Sequence, residues 1–380
     1  MERDTLRAEA LNLLRFPLAI VIVAVHIFSS TITIQGESFS FANMPIFLGI
    51  LDFIDAFLKG QSVPIYYFIS GYVFFIGAEL TIQKYKNKIK NRIKTLFLPY
   101  VIWNAIAVLF SLIFFIPALS HLSYTFSNAS LNLSISSIFN CFWDNTNSIF
   151  FSSGATGLNA IYPNNYPLWF LRDLMLVVLS IPLVYPIIKK SKYYFVALLG
   201  IAWFVAGYSP EISRLDQILS AYFFFFLGAY FSINRIDMIS SFGKLFKTSV
   251  LLYLLLGVIY MVLSGTEFDT YTWIVKRVNV IVGLFFAYNI AAWLLTKNIC
   301  RPSKLLSSSS FFIYVSHAII SSYILKIIFK VVEPSAQYSV IFVYFVALVM
   351  VVLSLLGVYY ILSKYLPSLL VLLTGRKEKQ

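Results

Sequence analysis

The sequence predicts an all-α polytopic membrane protein with about ten transmembrane helices, and three observations support this prediction. Of the 380 residues, 59% are hydrophobic and only 12% are charged, and the mean hydropathy is +0.82. Soluble globular domains are much less apolar than this. Apolar runs of roughly 17–25 residues, the length that crosses a bilayer, recur along the chain. Because no long polar block interrupts them, we expect one integral-membrane domain over residues 1–380.

The apolar runs mark ten candidate spans in order along the chain. The first span lacks the small-residue cleavage pattern of a signal peptide, so we expect it to remain as a membrane anchor. The predicted spans cover about 11–31, 62–80, 95–117, 166–187, 193–208, 215–233, 246–264, 272–296, 308–332 and 339–363.

The basic residues predict which side of the membrane each connection occupies. The net charge is +13, and 21 Lys and Arg residues lie at the two termini and in alternate connections, with six of them in residues 84–94. The intervening connections contain only Lys59 and Arg214. Because basic connections stay in the cytoplasm, we expect both termini and residues 84–94 to be cytoplasmic. The positive charge is thereby explained without nucleic acid as a partner.

The connection from about 118 to 165 is long and contains no Lys or Arg, so we expect it to lie outside the membrane, away from the cytoplasm. It is rich in Ser, Asn, Phe and Tyr. Two interpretations remain open: a lid or partner surface over the mouth of the helix bundle, and a plain spacer.

Several classes of chemistry lack their usual residues in this sequence. The only two cysteines, Cys141 and Cys300, fall on opposite sides of the predicted membrane, so we expect no disulfide between them. The chain has no CxxC, GxSxG, HExxH or Walker motif and no cluster of carboxylates. We therefore expect neither a metal site nor a permanently bound cofactor.

Arg15 and His26 are the first candidate functional residues, because both lie in the first apolar run. Eleven residues correspond to about 1100° of helical rotation, within about 20° of three turns, so the two side chains share one stripe. A charge in the membrane centre costs roughly 2.5–3.5 kcal/mol, which favours a lined cavity over lipid contact. His26 is a candidate general base, and a hydrogen bond between helices is the alternative. His317, in the ninth span, is the other histidine within a predicted span.

Four further residues flank predicted spans. Arg92 and Lys94 precede Leu-Pro-Tyr at the cytoplasmic end of the third span, where simple anchoring of the chain is the alternative interpretation. Trp169 and Arg172 open the fourth span. Trp169 also suits the aromatic belt at a membrane surface, and Arg172 could pair with Asp173 or point into the bundle.

Six stretches occur in a fixed order along the chain: Arg15-x10-His26, YYFISGYVFF at 66–75, RIKTLFLPYVIW at 92–103, YPLWFLRDL at 166–174, FFFFLGAYF at 223–231 and SSFFIYVSH at 309–317. Taken in this order, they resemble the integral-membrane O-acyltransferases of acyltransferase family 3, over nearly the whole chain. The family often has two arginines three residues apart before Leu-Pro-Tyr, whereas here Thr95 stands three residues after Arg92, and Lys94 is the expected substitute.

The resemblance implies an O-acyltransferase of the bacterial plasma (inner) membrane. It implies transfer of an acyl group, with acetyl expected, from cytoplasmic acyl-CoA to a sugar hydroxyl. The acceptor would be a cell-surface polysaccharide, a lipopolysaccharide or its lipid-linked precursor. The implied site residues are His26 as catalytic base, Arg15, Arg92 and Lys94 for the donor, and Trp169, Arg172 and His317 for acceptor binding or support.

Two alternatives remain open from the residues. His26 could deprotonate the acceptor hydroxyl for direct attack, or accept the acyl group first as an acyl-imidazole. The rival function is a polysaccharide transporter, flippase or polymerase, which would also have many spans, intramembrane arginines and a large outer connection. That rival does not account for the order of the motifs.

Overall fold

A computed structural model describes the chain as an all-α polytopic membrane protein. Most of the connection at 118–165 lies outside the described residues, so its interpretation as a lid or partner surface or as a spacer stays a prediction. Lys192 and residues 376–380 also lie outside the described residues. The described residues are 3–34, 37–77, 79–113, 130–131, 134–145, 150–151, 162–191, 193–208, 213–333 and 336–375.

Helices dominate the described residues, with two small two-stranded antiparallel sheets beside them. In the first sheet, a hairpin, Thr31 pairs with Ser40 and Ile34 with Glu37. The helices are α1 Arg3–Ile27, α2 Pro45–Ile54, α3 Ser62–Phe75, α4 Ile82–Arg92, α5 Leu98–Ile113, α6 Ile135–Asn140, α7 Trp169–Ser191, α8 Tyr193–Ala206, α9 Ser213–Ile233, α10 Met238–Gly243, α11 Phe246–Leu263, α12 Thr272–Thr296, α13 Lys304–Val331, α14 Gln337–Tyr365 and α15 Pro367–Thr374. Asp55–Lys59 and Ile93–Phe97 are π-helical, and Tyr166–Leu168 and Asp269–Tyr271 are 3₁₀ turns. The strands are β1 Thr31–Ile34, β2 Glu37–Ser40, β3 Ser130–Leu131 and β4 Phe150–Phe151.

Within the described residues, eight helical segments are long and apolar enough to cross a membrane, and each coincides with one predicted span. The other two predicted spans coincide with α3 and α8, which have 14 residues each. Such helices are about 21 Å long, shorter than a hydrocarbon core of about 30 Å. The eight segments are Asp4–Ile27, Ile82–Ile113, Tyr166–Ser191, Arg214–Ile233, Phe246–Leu263, Asp269–Thr296, Lys304–Val331 and Gln337–Tyr365.

The basic stretch 84–94 is helical, whereas the sequence suggested a connection between spans. Together α4, the π-helical turn and α5 form one continuous helical segment of 32 residues. Lys, Arg and Gln are good helix formers, and no Gly or Pro occurs between Thr81 and Leu98 to end the helix. The helix therefore continues past the end of the apolar run that defined the third span.

The chain forms two compact units that alternate along the sequence. The first unit contains Met1–Val25, Asp52–Arg92 and Asp173–Ser310. The second unit contains His26–Leu51, Ile93–Arg172 and Phe311–Gln380.

In the first unit, α3 and α9 lie in backbone contact. A Cβ atom added at Gly71 would be 1.9 Å from the carbonyl oxygen of Phe225, and one added at Gly228 would be 2.1 Å from that of Phe68. Only glycine leaves room for this approach, because small residues let helix backbones come close together. The motifs at 66–75 and 223–231 are therefore the two sides of one helix interface.

In the second unit, an aromatic cluster anchors the segment that follows α1. The ring centroids of Phe47 and Tyr344 are 5.0 Å apart, and those of Phe41 and Phe47 are 5.6 Å apart. The Tyr344 hydroxyl also donates to the carbonyl oxygen of Ser29 at 2.8 Å. These contacts fix the chain just after His26, at the end of α1.

Candidate active site

His26 and His317 lie together in the second unit, although they are far apart in sequence. Their ring centroids are 5.3 Å apart with an interplanar angle of 20°. The ring of Tyr166 packs edge-on against His26, with centroids 4.9 Å apart and an angle of 86°. His26 is in the last turn of α1, where the negative end of the helix dipole favours a cation. We call these three residues the ring cluster.

The His317 ring is oriented by its own helix. Its side chain is completely buried, and its Nδ1 lies 2.7 Å from the carbonyl oxygen of Tyr314. Because a carbonyl only accepts hydrogen bonds, Nδ1 carries the proton and Nε2 carries the lone pair. This Nε2 has no hydrogen-bond partner in the described part of the chain. The ring is therefore held in one orientation inside the second unit.

The turn that carries Tyr166 is fixed by two buried asparagines. The Asn165 side chain donates to the carbonyl oxygen of Val315 at 2.9 Å, and its backbone N–H donates to Oδ1 of Asn104 at 3.0 Å. Both amide side chains are almost fully buried. The Tyr166–Leu168 turn is thus attached to α13 next to His317 and to α5.

Tyr314 joins the same turn to His317. Its hydroxyl donates to the carbonyl oxygen of Pro167, while its own carbonyl oxygen accepts from His317. The sequence predicts no site role for Tyr166, although it is the first residue of the motif YPLWFLRDL, or for the residues that hold it. A usable signal was Asn104, a polar residue inside an apolar run, since such residues in membrane helices need a partner.

Arg172 is buried but engaged with another part of the second unit. Its Nη1 donates to the carbonyl oxygen of Trp143 at 3.0 Å, and the guanidinium lies 5.2 Å from the centre of the Trp143 ring. Arg172 therefore ties α7 to the described segment 134–145. Trp169, the first residue of α7, is partly exposed. A role for either residue in acceptor binding stays a prediction.

Arg15 and Arg92 both belong to the first unit, and α3 contacts both. The Tyr66 hydroxyl donates to the backbone carbonyl of Arg15 at 2.6 Å. The Arg92 guanidinium lies 5.9 Å from the centre of the Phe74 ring. Tyr66 and Phe74 come from the motif at 66–75, so this motif packs against both predicted donor residues.

Lys94 is placed differently from Arg92. It belongs to the π-helical turn Ile93–Phe97 of the second unit, and its side chain is exposed. Lys94 follows Arg92 by two residues, whereas the arginines of the family's pair are three residues apart. Its position therefore differs from that of an arginine three residues after Arg92. Donor binding by Lys94 stays a prediction.

Two comparisons with known proteins match nearly the whole chain. A family model for acyltransferase family 3, described as "Acyltransferase domain", matches residues 9–359, which include every predicted site residue. The "Succinoglycan biosynthesis protein ExoH" of Rhizobium meliloti (strain 1021) is 26% identical over 338 residues, which cover 87% of this chain and 84% of that protein. No solved structure matches the chain significantly. The chain therefore belongs to acyltransferase family 3.

Proposed function

We propose that this protein is a membrane O-acyltransferase that uses cytoplasmic acyl-CoA, with acetyl as the expected group, to acylate a sugar hydroxyl. The acceptor is a cell-surface polysaccharide, a lipopolysaccharide or its lipid-linked precursor, at the bacterial plasma membrane. The observation that carries the proposal is the ring cluster of His26, His317 and Tyr166 in a chain of this family. A glycan acceptor is supported by the relative named for succinoglycan biosynthesis.

In this proposal His26 is the catalytic base, because its ring is partly exposed whereas His317 is completely buried. His26 takes the proton of the acceptor hydroxyl as the hydroxyl oxygen attacks the thioester carbonyl. The carbon–sulfur bond then breaks, and the departing thiolate takes the proton from the His26 imidazolium. In the alternative, His26 first accepts the acyl group as an acyl-imidazole, and the acceptor hydroxyl then attacks this intermediate.

His317 supports this step from a fixed position. Its Nε2 lone pair has a defined orientation, because Tyr314 holds the Nδ1 proton. The His317 ring is stacked against the His26 ring and so supports its position. Trp169 and Arg172 complete the proposed acceptor side, with Arg172 acting through the Trp143 segment that it holds.

Arg15, Arg92 and Lys94 are the proposed donor residues. The distribution of Lys and Arg predicts that the N-terminus of α1 and residues 84–94 lie on the cytoplasmic side, where acyl-CoA is available. Arginine binds phosphate bidentately, so Arg15 and Arg92 suit the phosphates of coenzyme A, while Lys94 adds a point charge. In α1, Arg15 precedes His26 by eleven residues, about 16 Å along the helix axis.

The experiment is a chemical analysis of surface glycan from cells with and without the gene, together with transfer from radiolabelled acetyl-CoA by the purified protein. Loss of glycan O-acyl esters, restored by the wild-type gene and not by His26→Ala, supports the proposal. Loss of the polymer itself, together with no acyl transfer by the purified protein, would instead indicate transport or polymerisation.

A further inference from the structure

A cavity of about 260 Å³ is lined entirely by residues of the first unit. Three separate segments form its wall: the connection from α3 to α4, the end of α7 and the end of α9. The charge pattern of the sequence assigns all three segments to the cytoplasmic side. The fold therefore gathers three connections from one predicted side of the membrane around a single cavity.

Arg235 stands in this wall in an unusual backbone conformation. Its φ is +52°, in the left-handed region. The N–H of Arg235 donates to the carbonyl of Ser232, and the N–H of Ile236 donates to that of Phe231, which together end α9. Glycine or asparagine is the usual residue at such a position. A cation can offset the helix dipole anywhere in the last turn without strain, so the dipole alone does not explain an arginine here.

Lys189 is the second cation of the cavity, and it forms an ion pair with Glu79. Its Nζ lies 2.7 Å from Oε1 of Glu79, and both side chains are exposed. Exposed ion pairs contribute little stability, so a ligand with greater negative charge can displace the Glu79 carboxylate. Glu79 thus occupies the place that an anion would take on Lys189.

An aromatic pair forms another part of the wall. The rings of Phe75 and Tyr185 are stacked, with centroids 5.7 Å apart and an angle of 11°. Phe75 also contacts the ring of Phe74, against which Arg92 lies. The cavity is therefore built next to a residue proposed for the donor. Its volume is just below the roughly 300–1,000 Å³ of typical ligand clefts, which suits one end of a larger ligand.

We propose that this cavity binds the phosphorylated nucleoside end of the acyl donor, with Lys189 and Arg235 on its phosphate groups. Glu79 competes for Lys189 and releases it when the donor binds. This inference rests on the proposed function, because it takes the donor to be an acyl-CoA. A phospholipid headgroup presents the same phosphate chemistry, and the experiment separates the two sources.

The test measures binding of coenzyme A and of adenosine 3′,5′-bisphosphate to the full-length protein in phosphatidylcholine nanodiscs. We expect Arg235→Gln and Lys189→Gln each to weaken nucleotide binding about tenfold. Glu79→Gln should strengthen it severalfold, because Lys189 is then free. Lys190→Gln is the matched control, since this neighbouring exposed lysine does not line the cavity. Melting temperatures of all variants check that they are folded.

Wild-type nucleotide affinity in both Arg235→Gln and Lys189→Gln would overturn the inference, as would weaker binding in Glu79→Gln. Phosphatidylglycerol that co-purifies with the wild type and is lost from Arg235→Gln, with nucleotide affinity unchanged, would assign the cavity to a lipid and overturn the donor assignment. Absence of coenzyme A binding to the wild type would instead refute the proposed donor itself.

Discussion

Asp55 illustrates how single charged residues are stabilised in this apolar chain. Its carboxylate lies 2.7 Å from Nζ of Lys276 and 3.0 Å from Nζ of Lys59, and it accepts from the Tyr260 hydroxyl. Burial raises the pKa of Asp55, but the two ammonium groups and the hydrogen bonds lower it more, to about 2. Asp55 therefore stays ionised, and Lys276 is engaged as its partner.

We expect Asp55→Asn to destabilise the protein by roughly 2–3 kcal/mol at pH 7, from the difference between its pKa and an ordinary value of about 3.9. Because the folded-state pKa is the lower one, this contribution is full above about pH 4 and is lost as the pH falls toward 2. Unfolding in detergent at several pH values measures it. The difference between wild type and variant should shrink below pH 4.

Asp52 provides the control for this prediction on the preceding turn. Partial burial and then the charge of Asp55 raise the pKa of Asp52. Its negative charge is therefore unfavourable in the folded state, and Asp52→Asn should be neutral or stabilising at pH 7. An equal loss of stability in the two variants would show that the ion pairs of Asp55 do not explain its role.

Among the helices, the interface of α3 and α9 explains two of the six motifs without any catalytic role. The Phe223–Phe226 run is buried, and Gly71 and Gly228 each lie against a carbonyl group of the opposite helix. The interface positions Tyr66 and Phe74, which contact the two predicted donor arginines. A motif can therefore be required for the geometry of a site without contacting a substrate.

Gly71→Ala should destabilise the protein, because its Cβ would lie 1.9 Å from the carbonyl oxygen of Phe225. Forcing a methyl group into such a contact costs about 1–3 kcal/mol. A lower melting temperature in detergent would show this. The control is Gly357→Ala in α14, where nothing lies within 4 Å of the new Cβ and alanine is the better helix former. Equal melting temperatures for wild type and Gly71→Ala would contradict the close contact.

The long helices were predictable, whereas several shorter elements were not. Apolar runs gave α11 as 246–264, and the helix is Phe246–Leu263. The β1–β2 hairpin and α2 escaped prediction because their stability comes from packing of Phe41 and Phe47 against Tyr344, far away in sequence. The polarity of residues 84–94 indicates a connection and not a helix, although lysine favours helices, so α4 is not predicted by polarity alone.

The candidate site residues were only partly predictable for the same reason. His26 and His317 stood out because ionisable side chains are rare in apolar runs, and the fold brings their rings together. Tyr166 carried no such signal. Its place depends on hydrogen bonds made by Asn165 and Asn104, and sequence periodicity contains no information on which helices these residues join.

For the whole molecule, the proposed function depends on a donor and an acceptor that approach from opposite sides of the membrane. The support is the distribution of Lys and Arg, with 21 on one predicted side. The family match covers residues 9–359 and so includes segments of both compact units. Activity is therefore expected from the complete chain.

Cysteine labelling of intact cells tests this orientation. In a chain with Cys141→Ser and Cys300→Ser, Lys86→Cys in α4 should be protected from a membrane-impermeant maleimide, and Ser136→Cys in α6 should react. Both positions are exposed, so access to the reagent depends on the side of the membrane. The reverse labelling pattern would refute the proposed orientation of donor and acceptor.

The central claim, that His26 is the catalytic base, is tested most directly by His26→Gln in purified protein. Glutamine can replace a structural hydrogen bond but cannot accept a proton near neutral pH. We expect acyl transfer to fall by about 10²–10⁴, with coenzyme A affinity and melting temperature nearly unchanged, because loss of a base affects the transition state. His317→Gln should reduce transfer less. Transfer by His26→Gln near the wild-type rate would contradict the claim and indicate His317 as the base.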